Sequence, residues 1–204
     1  VQFREGVWLG NPLKINADIL TYYARKDLQH GRIEEAAELY ERSASIDPSD
    51  GRAYLGLSKC ASRRRDFSLA RKWLQIGIAR SVSVDNTFNN TLPIPDRGGN
   101  PFLLQALGCL EEELGHLSEA ESCYKAAVDS RPSHAAAWVA LAQIRTRKLG
   151  ASAQAGRSCY QRAEKELSNA GNPQSSFVYT SWANLEYSKG SGARKARKLF
   201  HKAL

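Results

Sequence analysis

The chain of 204 residues predicts an all-α fold, an α-solenoid of about five antiparallel helix pairs. Three observations carry this. A signature of small residue, large residue four positions on and small residue three further recurs. It stands at Ala36/Tyr40/Ser43, Ala70/Leu74/Gly77, Ala120/Tyr124/Ala127, Gly156/Tyr160/Ala163 and Ala196/Phe200/Ala203, the spacing of one helix face. Upstream of each signature lies a small residue, Ala24, Ser58, Gly108, Ala142 or Ala183, preceded by a large one, Tyr23, Leu57, Leu107, Leu141 or Trp182. The steps between the small residues are 34, 50, 34 and 41. Small residues let helices approach closely, and the large neighbour fills the groove so made. One such pair cannot bury its apolar face, so pairs must stack.

Taken in order, residues 1–14 lack periodicity, and Gly6, Gly10 and Pro12 suggest an irregular lead-in. The array then spans 15–204. Its first pair covers 15–48, turns at Gly31 and stops at Asp47-Pro48. The second covers 50–80 and turns at Arg65-Asp66. Residues 81–99, rich in Pro, Gly and Asn, read as a loop insertion that accounts for the long second step. The third pair, 100–132, opens at Asn100-Pro101 and turns at Gly115; the fourth, 133–169, turns at Gly150. A short insertion around Asn169–Pro173 precedes the fifth pair, 173–204, with Gly190 and Gly192 at its turn. The sequence stops inside a second helix without a polar capping helix, so the array is expected to be a fragment of a longer one.

Composition narrows the function classes. The net charge of +8 is uneven: residues 1–99 sum to +3 (15 Lys/Arg against 12 Asp/Glu), 100–135 to −4 (2 against 6) and 136–204 to +9 (12 against 3). A strongly basic segment favours a polyanionic partner, nucleic acid first. No apolar run is long enough to span a membrane. Cys60, Cys109, Cys123 and Cys159 stand singly inside expected helices and read as buried free thiols. His30, His116, His134 and His201 fall at turns or on exposed faces. No carboxylate pair, Cys/His constellation, phosphate loop or metal-ligand spacing is present, so neither an enzyme nor a cofactor is expected.

The pattern resembles tetratricopeptide-type repeats, and within them the half-a-tetratricopeptide subclass. The resemblance rests on Trp182-Ala183-x-Leu185-Glu186 with Ala196-Arg197-x-Leu199-Phe200-x-x-Ala203, and on Leu110-Glu111 with Ala120-Glu121-x-x-Tyr124. In the first two pairs Asp27 and Ala61 replace the first-helix Glu. The run Asp50–Lys59 with the Ala/Arg-rich helix after it looks most like chloroplast factors of the high-chlorophyll-fluorescence type. The resemblance implies a right-handed superhelix and a non-catalytic role in RNA processing and stabilisation, as in organellar mRNA 5′-end maturation. It also implies a place in the chloroplast stroma, with nucleus or cytoplasm as alternatives. Other proteins of such an assembly are further implied partners.

First helices line the concave face of such an array, and helical geometry picks out the residues that point into it. In the first two pairs these are Thr21, Arg25, Arg52, Lys59 and Arg63; in the later pairs, Gln105, Gln143, Arg147, Thr180, Asn184 and Tyr187. Cations would neutralise phosphates, Gln and Asn would bond base edges, and Tyr187 would stack on an unpaired base. The same set supports single-stranded RNA as ligand and, alternatively, a protein scaffold with a partner helix in the groove. The acidic third pair and the contribution of Cys109, Val139 and Leu55 to the groove favour the scaffold. Phe102 and Phe177 are expected to pack on the preceding pair. Tyr40, Tyr124, Tyr160 and Phe200 are expected in the core, and Arg194, Lys195, Arg197, Lys198 and Lys202 on an outer surface.

Overall fold

The computed structural model describes residues 12–85, 100–148, 153–169, 175–188 and 193–204. These residues form ten α-helices and one π-helical turn, and the fold is all-α, of the α-solenoid type. The chain divides into two compact units, Val1–Thr91 and Leu92–Leu204.

The first unit holds α1 (Pro12–Gln29), α2 (Ile33–Ile46), α3 (Gly51–Arg63) and α4 (Phe67–Asp85). The turn from α1 to α2 follows from Gly31, whose φ of 81° only glycine adopts without strain. The Arg32 N–H closes it on the Asp27 carbonyl at 2.9 Å. Arg65 takes the equivalent place after α3 with φ 60°, and the Asp66 N–H returns to the Ala61 carbonyl at 3.0 Å. Asp50 caps α3 by accepting the Arg52 N–H at 3.0 Å. Ala24, Leu28, Ala36, Tyr40, Leu57 and Cys60 form the core. Gly56 is required there, because a Cβ would sit 2.3 Å from the Tyr40 ring.

The second unit holds α5 (Pro101–Glu113), α6 (Leu117–Ser130), α7 (Ala135–Gln143), a π-helical turn (Ile144–Lys148), α8 (Ala153–Asn169), α9 (Ser175–Ser188) and α10 (Ala193–Ala203). Asn100 caps α5, with Pro101 in the first turn, where its missing N–H costs nothing. Gly115 repeats the left-handed turn at φ 84°, and the His116 N–H closes on the Glu111 carbonyl at 2.8 Å. Gly108 admits the ring of Tyr124, and Tyr160 stacks on Trp182 at 6.0 Å. The buried first-helix acids hold the pairs together. Glu111 meets His116 Nδ1 at 2.8 Å. Glu186 is 0% exposed and accepts from Arg157 of α8 at 2.9 Å, Lys195 of α10 at 2.7 Å and the Trp182 indole at 3.0 Å.

Several expectations change. Helix α1 begins at Pro12, inside the segment read as irregular. Helix α4 runs through residues 81–85, because Ser81–Asp85 contains no Gly or Pro and the first proline stands at Pro93. The rest of the insertion, the lead-in 1–11, the Gly150 and Gly190/Gly192 turns and residues 170–173 lie outside the described residues. Cys109 is exposed and Cys123 half-buried, while Cys60 and Cys159 are buried. Tyr23 is exposed where Leu57, Leu141 and Trp182 are buried. Phe200 is 40% exposed instead of buried, since no described helix covers its face of α10.

His134 is also buried, 6% exposed, and bonds Gln105 at 3.1 Å. Burial and the neighbouring Arg131 hold its imidazole below the ordinary 6.5. In the unfolded chain His134 therefore takes up a proton at a higher pH than in the folded one. Stability falls as pH drops below about 6.5 toward the folded value, and is unaffected by this group above it. Replacing His134→Asn removes that contribution, so the variant loses less stability than the wild type between pH 7 and pH 5 in chemical denaturation.

Candidate functional site

In the first unit α1 and α3 lie side by side with a groove of about 290 Å³ between them. Thr21, Arg25, Leu28 and Gln29 form one wall, and Arg52, Leu55, Gly56, Lys59 and Arg63 the other, with Tyr40 of α2 beneath. The spacing Arg52, Lys59, Arg63 is two turns and then one, so α3 presents all three to the same side. Five residues expected on the concave face thus come together here.

Their roles differ. Arg25 and Lys59 are exposed and have no ion pair among the described residues. Arg63 is exposed but donates one guanidinium N–H to the Leu28 carbonyl, which fixes its stem across the groove. Arg52 is tied to Asp50 at 2.9 Å and to Asp18, and these two carboxylates raise its pKa further. Its charge is compensated inside the chain, which removes it from the phosphate-binding set. Thr21, 4% exposed, bonds the Ser43 hydroxyl at 2.9 Å, and Ser43 donates to the Ala17 carbonyl at 3.1 Å. It cements α1 to α2 and offers the groove no free hydroxyl. The pocket therefore has a partly apolar floor and three cations at its edge.

The second unit scatters the remaining candidates. Gln105 is half-buried and engaged by His134. Thr180 spends its hydroxyl proton on the Ser176 carbonyl at 2.9 Å. Asn184 is exposed, and Tyr187, 72% exposed, presents a whole ring beside it on α9. Phe102 and Phe177 are exposed too, although packing was expected of them. The Phe102 ring meets His134 at 4.6 Å and carries the Arg131 guanidinium at 5.6 Å. Gln143 is half-buried and ends α7. Arg147 lies in the π-helical turn, with its side chain outside the described residues. On α5 the exposed thiol of Cys109 and the carboxylate of Glu112 both meet the Tyr124 hydroxyl, at 3.4 and 2.9 Å. Burial, with Cys109 and Glu112 beside it, pushes that phenol well above its usual range.

Sequence reasoning missed a second cavity of about 240 Å³ between α6 and α8, floored by Trp138 and Leu141. Arg162 lies over the Trp138 ring at 5.6 Å, and Arg145 bonds Glu121 at 2.6 Å. Its lining comes from three α-helices and the π-helical turn, so no local spacing announces it. Among the described residues no group of three or more His, Cys, Asp or Glu is placed to hold a metal ion, and no helix is long and apolar enough to cross a membrane.

Two family models, both described as tetratricopeptide repeat, match residues 27–81 and 106–171. The chain belongs to the tetratricopeptide-repeat family. Among its relatives, the PsbB mRNA maturation factor Mbb1, chloroplastic, of Chlamydomonas reinhardtii is 31% identical over 136 residues, 61% of this chain and 18% of that protein. Protein high chlorophyll fluorescent 107 of Arabidopsis thaliana is 26% identical over 126 residues, 62% of this chain and 17% of that protein. The chain thus spans under a fifth of the length of either relative. Among solved structures, PilF of Pseudomonas aeruginosa superimposes with a TM-score of 0.65 at 20% identity, covering 95% of this chain and 79% of its own. That tetratricopeptide likeness concerns the fold alone.

Proposed function

We propose that this tetratricopeptide array is a non-catalytic binder of single-stranded RNA, acting in the processing and stabilisation of organellar messages at their 5′ ends, in the chloroplast stroma. The observation that carries the reading is the α1/α3 groove, where Arg25, Lys59 and Arg63 edge a cavity of about 290 Å³. Phosphates would sit on these cations; within the second unit, and separately, Tyr187 and Phe177 on α9 would offer faces for unpaired bases. The chloroplast mRNA maturation factor among the relatives supports the same direction.

A second reading, a protein scaffold within a multi-subunit assembly, draws on the face of α5. There Glu112 and Glu113 repel phosphate, and Cys109 lies exposed beside them. Fluorescence anisotropy with a labelled single-stranded RNA pool separates the two. The variant Arg25→Gln, Lys59→Gln, Arg63→Gln is expected to lose at least about tenfold in affinity at low salt. The slope of log K against log salt should flatten by about 2, from about 0.7 per released phosphate contact. Unchanged affinity and slope would move the weight to the scaffold.

A further inference from the structure

We infer that the second-helix face of the second unit, formed by α8 and α10, is a separate cationic platform that binds the phosphate backbone of nucleic acid without regard to sequence or strandedness. It is distinct from the α1/α3 groove and does not depend on it. Helices α8, α9 and α10 together carry eight Lys or Arg, namely 157, 162, 165, 194, 195, 197, 198 and 202, against three acids, Glu164, Glu166 and Glu186.

The acids do not quench this charge, because two of the three face other partners. Glu186 is buried and takes Arg157 and Lys195. Glu164 takes Lys202 at 2.8 Å and the Tyr179 hydroxyl at 3.0 Å, which also ties α10 to α8 and α9. Glu166 is half-buried. Five cations remain outside these pairs: Arg162 and Lys165 on α8, and Arg194, Arg197 and Lys198 on α10. All five are exposed and without an ion pair among the described residues, and Arg162 at the margin also lies over the Trp138 ring of α7.

Their spacing turns them outward in rows. On α10 residues 194, 197 and 198 stand at i, i+3 and i+4, while Ala196 and Leu199 face inward. On α8 residues 162 and 165 repeat the pattern, with Ala163 and Leu167 buried. Like charges this close on one helix face repel at i, i+4, so the arrangement works against the isolated helix. A polyanion relieves that repulsion. The platform offers point charges and, except for Phe200 at its margin, little apolar surface. A protein interface needs an apolar centre; a phosphate row needs only cations.

The test uses the whole chain and a labelled 20-base-pair blunt RNA duplex, which has no unpaired bases, in anisotropy titrations across salt. The wild type is expected to bind the duplex with a steep salt dependence. The variant Arg162→Gln, Lys165→Gln, Arg194→Gln, Arg197→Gln, Lys198→Gln should bind it more than tenfold more weakly, with a slope flatter by up to about 4.5, from about 0.9 per contact. A charge-keeping variant, with Arg and Lys exchanged at the same five positions, should retain binding. Thermal melting confirms that both fold. The variant Lys26→Gln, Arg42→Gln, Lys72→Gln, which removes three exposed cations outside both surfaces, should leave duplex binding unchanged. Loss of single-strand binding by the variant Arg25→Gln, Lys59→Gln, Arg63→Gln speaks only to the groove. Equal duplex binding by wild type and the five-fold Gln variant overturns the platform.

Discussion

Replacing Arg157→Met and Lys195→Met together is expected to destabilise the second unit by about 3–5 kcal/mol, the usual cost of stripping partners from a buried charge. The reason lies in Glu186, which is 0% exposed and would lose both of the cations that meet it. The carboxylate must then stay charged in an apolar setting, take up a proton, or drag α9 open to reach water. Each single replacement should cost well under half the double, because the remaining cation still compensates the charge. Urea denaturation followed by far-UV circular dichroism checks this. Additive single effects, or a double variant as stable as the wild type, would show that Glu186 reaches solvent. Adding Glu186→Leu to the double variant should recover much of the loss, as replacing a buried ionic group with an apolar one of similar size often does.

Gly56→Ala is expected to cost about 1–3 kcal/mol in the first unit, the range for overpacking a well-filled core. One methyl group would sit 2.3 to 2.5 Å from three atoms of the Tyr40 ring. That ring is buried in one cluster with Leu28, Leu57 and Cys60, so moving it disturbs their packing. Helix propensity alone predicts the opposite sign, since alanine is about 1 kcal/mol better than glycine inside a helix. The sign of the measured change therefore decides which effect wins. Pairing Gly56→Ala with Tyr40→Leu should cost less than the sum of the two, because the smaller side chain vacates the contested volume. Strict additivity would remove Tyr40 as the cause.

Much of the fold was legible because it obeys local rules. The small residues at 24, 58, 108, 142 and 183 mark close approaches that depend only on residue volume. The Gly31 and Gly115 turns depend only on φ. The candidate site was legible as a face and not as a set of partners. Helical periodicity places Arg25, Arg52, Lys59 and Arg63 on one side. It does not reveal that Arg52 meets Asp18, 34 residues away, or that Arg63 reaches the Leu28 carbonyl, 35 away. Thr21 with Ser43, and Gln105 with His134, fail for the same reason: each polar group found a partner on a neighbouring helix. The misplacement of Phe200 and Tyr23 has another origin. A signature shared by five pairs describes an interior repeat, and these two lie on faces that no described helix covers.

One irregularity was written in the spacing. Twelve residues separate the first-helix small residue from its signature in the first three pairs, and fourteen in the fourth, from Ala142 to Gly156. The π-helical turn Ile144–Lys148 takes up part of that excess by widening a single turn. Thr146 is thereby carried inward, its hydroxyl on the Ala142 carbonyl at 2.9 Å and its methyl against Gly156. A position-by-position recognition code, in which a fixed residue of every repeat reads one unit of a ligand, loses its frame at this point. Tallying residues from the start of the helix names the wrong reader beyond Ile144. The fourth repeat is out of phase with the first three, and specificity inferred from their consensus would not transfer to it.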